Sequence, residues 1–275
     1  MFILIAGSAD LSGGRMVGLT AVIAGSLAQA STYSHKFFPD LPELFFVFPI
    51  LAAIGVGLVF GLVNGFAVSV LKVPAFLATL GISMILYGIN LLYFNLPPNN
   101  AQPLGGFTKD FANIGTGDIF GIPILVIISV GCMIFVYILL TKTTLGKEIY
   151  AVGGNAEAAR VSGINVFKIL LFIFAIAGAL YGLGGSMEAA RTGSATSNYG
   201  NSYELDAIAS CIVGGCSLSG GVGTVPGVVL GVIVFTVINY GLTFIGISTN
   251  YQYIIKGLII IFAIALDVRK NFTKK

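Results

Sequence analysis

Of 275 residues, 56% are hydrophobic and 9% are charged, a balance that no water-soluble domain of this length could hide in one core. The net charge of +3 matters less than its placement, because eight of the fourteen Lys and Arg fall in two stretches, Thr141 to Lys168 and Arg269 to Lys275. These values exclude a soluble globular domain and define an all-α polytopic membrane bundle.

The opening Met1 to Gly7 is apolar but too short to span, and it lacks the basic leader and longer apolar region of a signal peptide. It reads as the end of a partial N-terminal helix. Asp10-Leu11-Ser12-Gly13-Gly14-Arg15 then breaks the apolar pattern and leads into a first span, Met16 to Ala30. Paired glycines beside a charge point to a broken helix, tolerable only where protein or a water-filled cavity surrounds it. A similar Leu218-Ser219-Gly220-Gly221 precedes the apolar run from Val222, the pattern of an internal repeat, though a four-residue match also arises by chance.

Ser31 to Glu43 is a polar connection, Phe45 to Leu71 a second span, and Lys72-Val73-Pro74 a tight turn in which the proline starts the third span, Phe76 to Phe94. Asn95 to Phe120 is expected as a long polar loop, and its poverty in Lys and Arg assigns it outside. Gly121 to Leu140 crosses back. After the basic stretch come Val166 to Met187, Leu205 to Ser217, Val222 to Ile245 and Tyr251 to Val268. An even number of segments thus separates the two basic regions, which places both on the inner side. The count is about eight spans, and the one from Leu205, too short for a full crossing at about 1.5 Å per residue, reads as a half-helix.

Within the inner stretch Thr141 to Lys168, Asn155 reads as an N-cap, Ala156 to Ser162 as about two turns of helix, and Gly163 as its terminator. Two turns cannot stand alone, so this helix either lies on the ends of its own spans or enters a groove on a soluble partner.

Two glycine series, Gly57, Gly61, Gly65 and Gly223, Gly227, Gly231, recur every four residues and predict smooth helix faces for close packing. Asn64, Asn90 and Asn239 lie within spans; they are pathway candidates or interhelical hydrogen-bonding groups. Glu204 and Asp206 precede the short helix from Ala207, where carboxylates serve as caps or line the outer mouth of a path for a hydroxyl-rich solute. Lys256, alone among the cations in lying well inside an apolar run, is expected to snorkel outward.

Chemistry finds little purchase. Cys132, Cys211 and Cys216 lack metal-ligand spacing and read as small hydrophobes, so neither a disulfide framework nor a metal site is expected. The single histidine, His35, sits in a polar stretch. No phosphate-binding loop motif occurs and no nucleophile has a partner base, so the chain is not expected to be an enzyme.

The segment Thr144-Leu145-Gly146-Lys147, with Gly153-Gly154-Asn155, Ala158-Ala159 and Ser162-Gly163-Ile164, resembles the cytoplasmic coupling loop of sugar ABC importer permeases of the ribose, xylose and galactoside type. The likeness extends from Asp10-Leu11-Ser12 through Tyr203-Glu204-Leu205-Asp206-Ala207-Ile208-Ala209 and Gly214-Gly215 to Val237-Ile238-Asn239-Tyr240-Gly241-Leu242-Thr243, and within the family it is greatest to the galactose and methyl-galactoside branch.

This resemblance implies one transmembrane permease domain over residues 1–275 in the bacterial inner membrane, with its coupling loop at 141–168. It implies two permease copies working with ABC ATPase subunits and an extracytoplasmic sugar-binding protein, with ATP and magnesium held by the ATPase and no nucleic acid involved. Coupling to the ATPase would fall to Gly154, Asn155, Glu157, Ala158, Ala159, Arg160, Ser162 and Gly163, the alanines permitting close approach. Against that family the chain starts roughly one and a half spans late, which is expected to reflect a late start codon or a truncated gene. The competing class is a secondary carrier or channel for a small polar solute; carriers coupled to protons tend to place ionisable groups deep in the membrane, whereas the acidic residues here fall in loops or near span ends.

Overall fold

The computed structural model describes residues 1–272; Thr273 to Lys275, the end of the basic tail, lie outside the described residues. Those residues form twelve helices and one small hairpin. In order they are α1 (Phe2–Ile5), α2 (Gly13–Leu27), α3 (Val47–Ser69), α4 (Ala75–Phe94), α5 (Lys109–Thr116), β1 (Asp118–Ile119), β2 (Ile122–Pro123), α6 (Ile124–Lys142), α7 (Thr144–Gly154), α8 (Ala156–Val161), α9 (Val166–Thr192), α10 (Tyr203–Val213), α11 (Val225–Phe244) and α12 (Thr249–Phe272).

Five of these, α3, α4, α6, α9 and α11, are long and apolar enough to cross a membrane, and α2 and residues 249–265 are shorter apolar helices. With α10, only 11 residues long, they account for the eight expected segments, and α10 has the length of a half-crossing. The chain breaks between α1 and α2, over residues 6–12, and the paired glycines Gly13 and Gly14, expected within the break, instead open α2.

The chain divides into two compact units. One comprises Met1–Ala9, Val136–Ile169 and the chain from Ser202; the other comprises Asp10–Phe135 and Leu170–Asn201.

In the second unit α2 is the central rod. Helices α3 and α4 pack on it, with Met16, Leu19, Ile82 and Leu86 filling the space between, while Gly14, Gly18 and Gly25 admit the 195–200 segment instead. The first glycine series performs as predicted: a side-chain carbon on Gly57 or Gly61 would strike the carbonyl of Gly178 or Phe174 on α9, and one on Gly65 would meet Leu171. Such side-chain-free contact lets two backbones pack by dispersion alone, the main attraction between helices in a lipid solvent. Outward faces are apolar instead of polar: Phe48, Leu51, Met84 and Leu92 are exposed while Asn64 and Asn90 are buried, the arrangement a hydrocarbon surround requires.

The expected loop from Asn95 to Phe120 holds more order than its composition suggests. Thr108 precedes α5, whose first turn carries Asp110, and Phe111 and Ile114 turn inward. The hairpin then closes antiparallel through Phe120-Gly121, with Asp118 accepting from the Gly121 amide at 3.2 Å. Helix α9 also outruns its expected end at Met187, so that Glu188 and Arg191 form an ion pair at 2.9 Å on its last turn.

In the first unit α10 packs on α11 and α12, and α1 on α7. Here the second glycine series splits. Gly227 and Gly231 lie on α11 and approach the carbonyls of Gly214 and Ser210, but Gly223 precedes the helix and its missing side chain makes room for Cys216 and Ile5. Cys211 and Cys216 are buried with Leu4 in one apolar cluster, as small hydrophobes.

Candidate functional site

The loop 141–168 contains two helices, one more than its sequence pattern predicts. Thr143 caps α7 by accepting from the Gly146 amide at 3.1 Å, and Asn155 caps α8 by accepting from the Ala158 amide at 3.0 Å. At the other end of α8, Gly163 takes a left-handed φ of +86° and donates its amide to the Arg160 carbonyl, which stops the helix where a side-chain-bearing residue would be strained.

Helix α8 exposes almost everything it has. Glu157 and Arg160 pair at 3.3 Å with side chains 75% and 62% exposed, so the pair adds little stability. Ala158 and Ser162 are also exposed, and Val161, an apolar residue that sequence reasoning passed over, is 89% exposed. Ala159 differs from the expectation: at 4% exposed it is buried, because a six-residue helix rests on the chain only through the single face it turns inward. Its small side chain therefore serves internal packing, and the outward face consists of Glu157, Ala158, Arg160, Val161 and Ser162.

Helix α7 connects this face to the interior of the first unit. A side-chain carbon on Gly153 would run into the Ile5 carbonyl, and the Gly221 amide donates to that same carbonyl at 2.7 Å. One turn earlier, the Tyr150 hydroxyl donates to the Gly223 carbonyl at 2.6 Å. Burial pushes the Tyr150 phenol above its ordinary range, which keeps it a donor. The Leu218-Ser219-Gly220-Gly221 break is thus gripped from one side by α7. From the other, the Asp267 carboxylate of α12 accepts from the Ser217 hydroxyl and the Leu218 amide, both at 3.1 Å. A displacement of α8 would reach α12 through this chain of close contacts.

The pathway candidates divide between the units. In the second, Ser12 accepts from Asn64 Nδ2 at 2.7 Å and donates to Asp10 at 2.6 Å, while the Leu11 amide donates to Thr79 at 3.0 Å. The break before α2 is therefore lined by a buried polar network. Asn90 donates to the Ser197 carbonyl at 3.3 Å. Both asparagines keep a buried side-chain oxygen without a hydrogen-bond partner, a state that costs free energy unless something else supplies the donor.

In the first unit Asp206 pairs with Lys256 at 2.8 Å, its side chain 30% exposed and that of Lys256 22%. Sequence alone offers Lys256 no partner, but a carboxylate fifty positions away meets its ammonium, and Asp206 is held in an ion pair. Helix α10 starts at Tyr203, so Glu204 and Asp206 lie within its first turn instead of preceding a helix from Ala207. Asn239 lies on α11, half-buried, and its side-chain oxygen is also without a partner.

Apolar spans, a broken entry helix, lined polar breaks and an exposed capped loop define a multi-pass membrane transport component. A family model described as the permease component of branched-chain amino acid transport systems matches residues 1–264, and the chain belongs to that permease family. The galactose/methyl galactoside import permease protein MglC of Escherichia coli strain K12 is 48% identical over 277 residues, covering 99% of this chain and 82% of the relative. The same-named protein of Salmonella typhimurium is 49% identical at the same coverage. The ribose import permease protein RbsC of Haemophilus influenzae is 38% identical, covering 97% of this chain and 78% of the relative. No solved structure matches.

Proposed function

We propose that the chain is the transmembrane permease subunit of an ATP-driven importer in a bacterial inner membrane, passing galactose or methyl galactoside. The observation that carries this reading is 48% identity to a galactose/methyl galactoside import permease across 99% of the chain. Its lower identity to the ribose permease, 38%, favours a hexose over a pentose.

In this reading two copies assemble with separate ATPase subunits below and a sugar-binding protein above. The ATPase grips the outward face of α8. Closure of the ATPase moves α8, Gly153 and Tyr150 convey the movement to the Leu218–Gly223 break, and Asp267 carries it to α12. The differential affinity of the ATPase for two states of the bundle is then what biases access from one face to the other.

The test is reconstitution in proteoliposomes of the tagged chain, its ATPase and the binding protein. Galactose uptake that requires ATP and the binding protein supports the reading. Uptake that proceeds without ATP would move the chain to the carrier or channel class.

A further inference from the structure

Arg15 lies inside α2, in its first turn, although the sequence pattern placed it in the break before the first span. Its guanidinium carbon stands 4.2 Å from the centroid of the Tyr87 ring, and its Nη2 donates to the side-chain oxygen of Asn201 at 2.8 Å. Tyr87 is the thirteenth residue of α4 (Ala75–Phe94), so at 1.5 Å per residue it sits about 18 Å along a helix about 30 Å long. A full positive charge is therefore held near the middle of a spanning helix. Its partners are a ring face and a neutral amide, and no carboxylate among the described residues pairs with it. The Arg15–Asn201 bond is exposed, so the charge faces open space beside a spanning helix, and an ionisable group within a spanning region marks function.

The surroundings are built to hold neutral polar groups beside it. Arg15 and Gly18 on α2 face Tyr87 and Asn90 on α4, each pair three residues apart. The segment before α10 descends onto α2 without intervening side chains: a side-chain carbon on Gly18 would strike the Tyr199 carbonyl, and one on Gly200, at φ +75°, would strike the Gly14 carbonyl. That seating places Ser197 against Asn90 and Asn201 against Arg15. Asn90 is 2% exposed and its side-chain oxygen has no donor.

We propose that Arg15, Asn90 and Asn201, with Tyr87 bracing the guanidinium, form a mid-membrane station that holds a neutral polyhydroxy substrate in transit. This rests on the sugar-import reading. The guanidinium offers a fork of N–H donors to hydroxyl oxygens, and the two amides offer acceptors for hydroxyl protons. Arg15 already bonds a neutral oxygen, so a substrate hydroxyl replaces Asn201 by exchange of like for like. Binding is then strong enough to admit the solute and weak enough to release it, as conduction demands.

The experiment uses the complete reconstituted transporter and measures uptake of galactose and a panel of monodeoxygalactoses, alongside ATPase activity stimulated by the sugar-loaded binding protein. Arg15→Gln is expected to lower galactose uptake about tenfold or more, since a charge-assisted donor is lost, while stimulated ATPase stays within about twofold. Asn201→Ala, in the turn before α10, and Arg15→Lys, which keeps the charge, are expected to flatten the penalty for one particular missing hydroxyl. Wild-type uptake in Arg15→Gln, or a loss in the milder variants that is the same for every analogue, overturns the station and leaves the import reading intact. A wild-type complex that imports no monosaccharide overturns both.

Discussion

The Tyr150 hydroxyl and the Gly223 carbonyl, 73 positions apart, meet at 2.6 Å and tie α7 to the residue that ends the Leu218–Gly223 break. Removing the hydroxyl orphans a part-buried carbonyl and loosens the tie by about 1 kcal/mol. Tyr150→Phe is expected to bind the ATPase at full strength yet to transport less sugar per ATP hydrolysed. Parallel uptake and hydrolysis assays on one preparation check this; an unchanged ratio would count against transmission through Tyr150.

Val161 and Ala159, two residues apart on α8, should respond in opposite ways. Val161→Asp adds a charge where the side chain is 89% exposed, so folding should change by no more than about 0.5 kcal/mol while co-purification of the ATPase is lost. Ala159→Asp places a charge at a site 4% exposed and should reduce the amount of folded chain in the membrane before any partner is added. Fluorescence-detected gel filtration of each variant, with and without the ATPase, separates the two effects.

The Asp206–Lys256 pair lends itself to a double-mutant cycle. Asp206→Asn or Lys256→Met alone strands a half-buried charge, and each should lower thermal stability in detergent. The double variant should recover part of the loss, with a coupling of about 1 kcal/mol. Strict additivity would mean that the two charges do not meet in the folded protein.

Glu43 provides a pH signature in the connection between α2 and α3. The Ser31 amide and hydroxyl donate to its carboxylate at 2.7 and 2.8 Å and hold the carboxyl below its ordinary value of 4.5. Because the folded value is the lower one, the contact is fully present above the ordinary value and is lost as pH falls through the folded one. Amide exchange at Ser31 should accelerate on acidification below the ordinary value, and Glu43→Gln should exchange with little dependence on that pH change beyond the intrinsic chemistry.

What could be read before the structure was what depends on neighbours in sequence. Asn155 and Gly163 bracket α8 because capping is settled within four residues, and Gly57, Gly61 and Gly65 share a face because the helix repeat puts them there. What could not be read depends on distant partners. Lys256 looked solitary since Asp206 is fifty positions away, and Ala159 looked like a docking residue since nothing local says which face of a short helix rests on the chain. Two signals were present and unused: Thr108 ahead of Asp110 marks the start of α5, and Arg15 is close enough to the glycine break to fall within the helix that follows it.

The interlocked backbones of Gly57, Gly61 and Gly65 against Leu171, Phe174 and Gly178 have a mechanical corollary. Flexible side chains act as springs between helices, and at Gly57 and Gly61 this joint is backbone on backbone, a side chain entering only as Leu171 beside Gly65. Within their unit, α3 and the adjoining stretch of α9 must swing as one stiff beam, so any compliance the transport cycle needs has to reside elsewhere, at joints such as the unwound turns before α2.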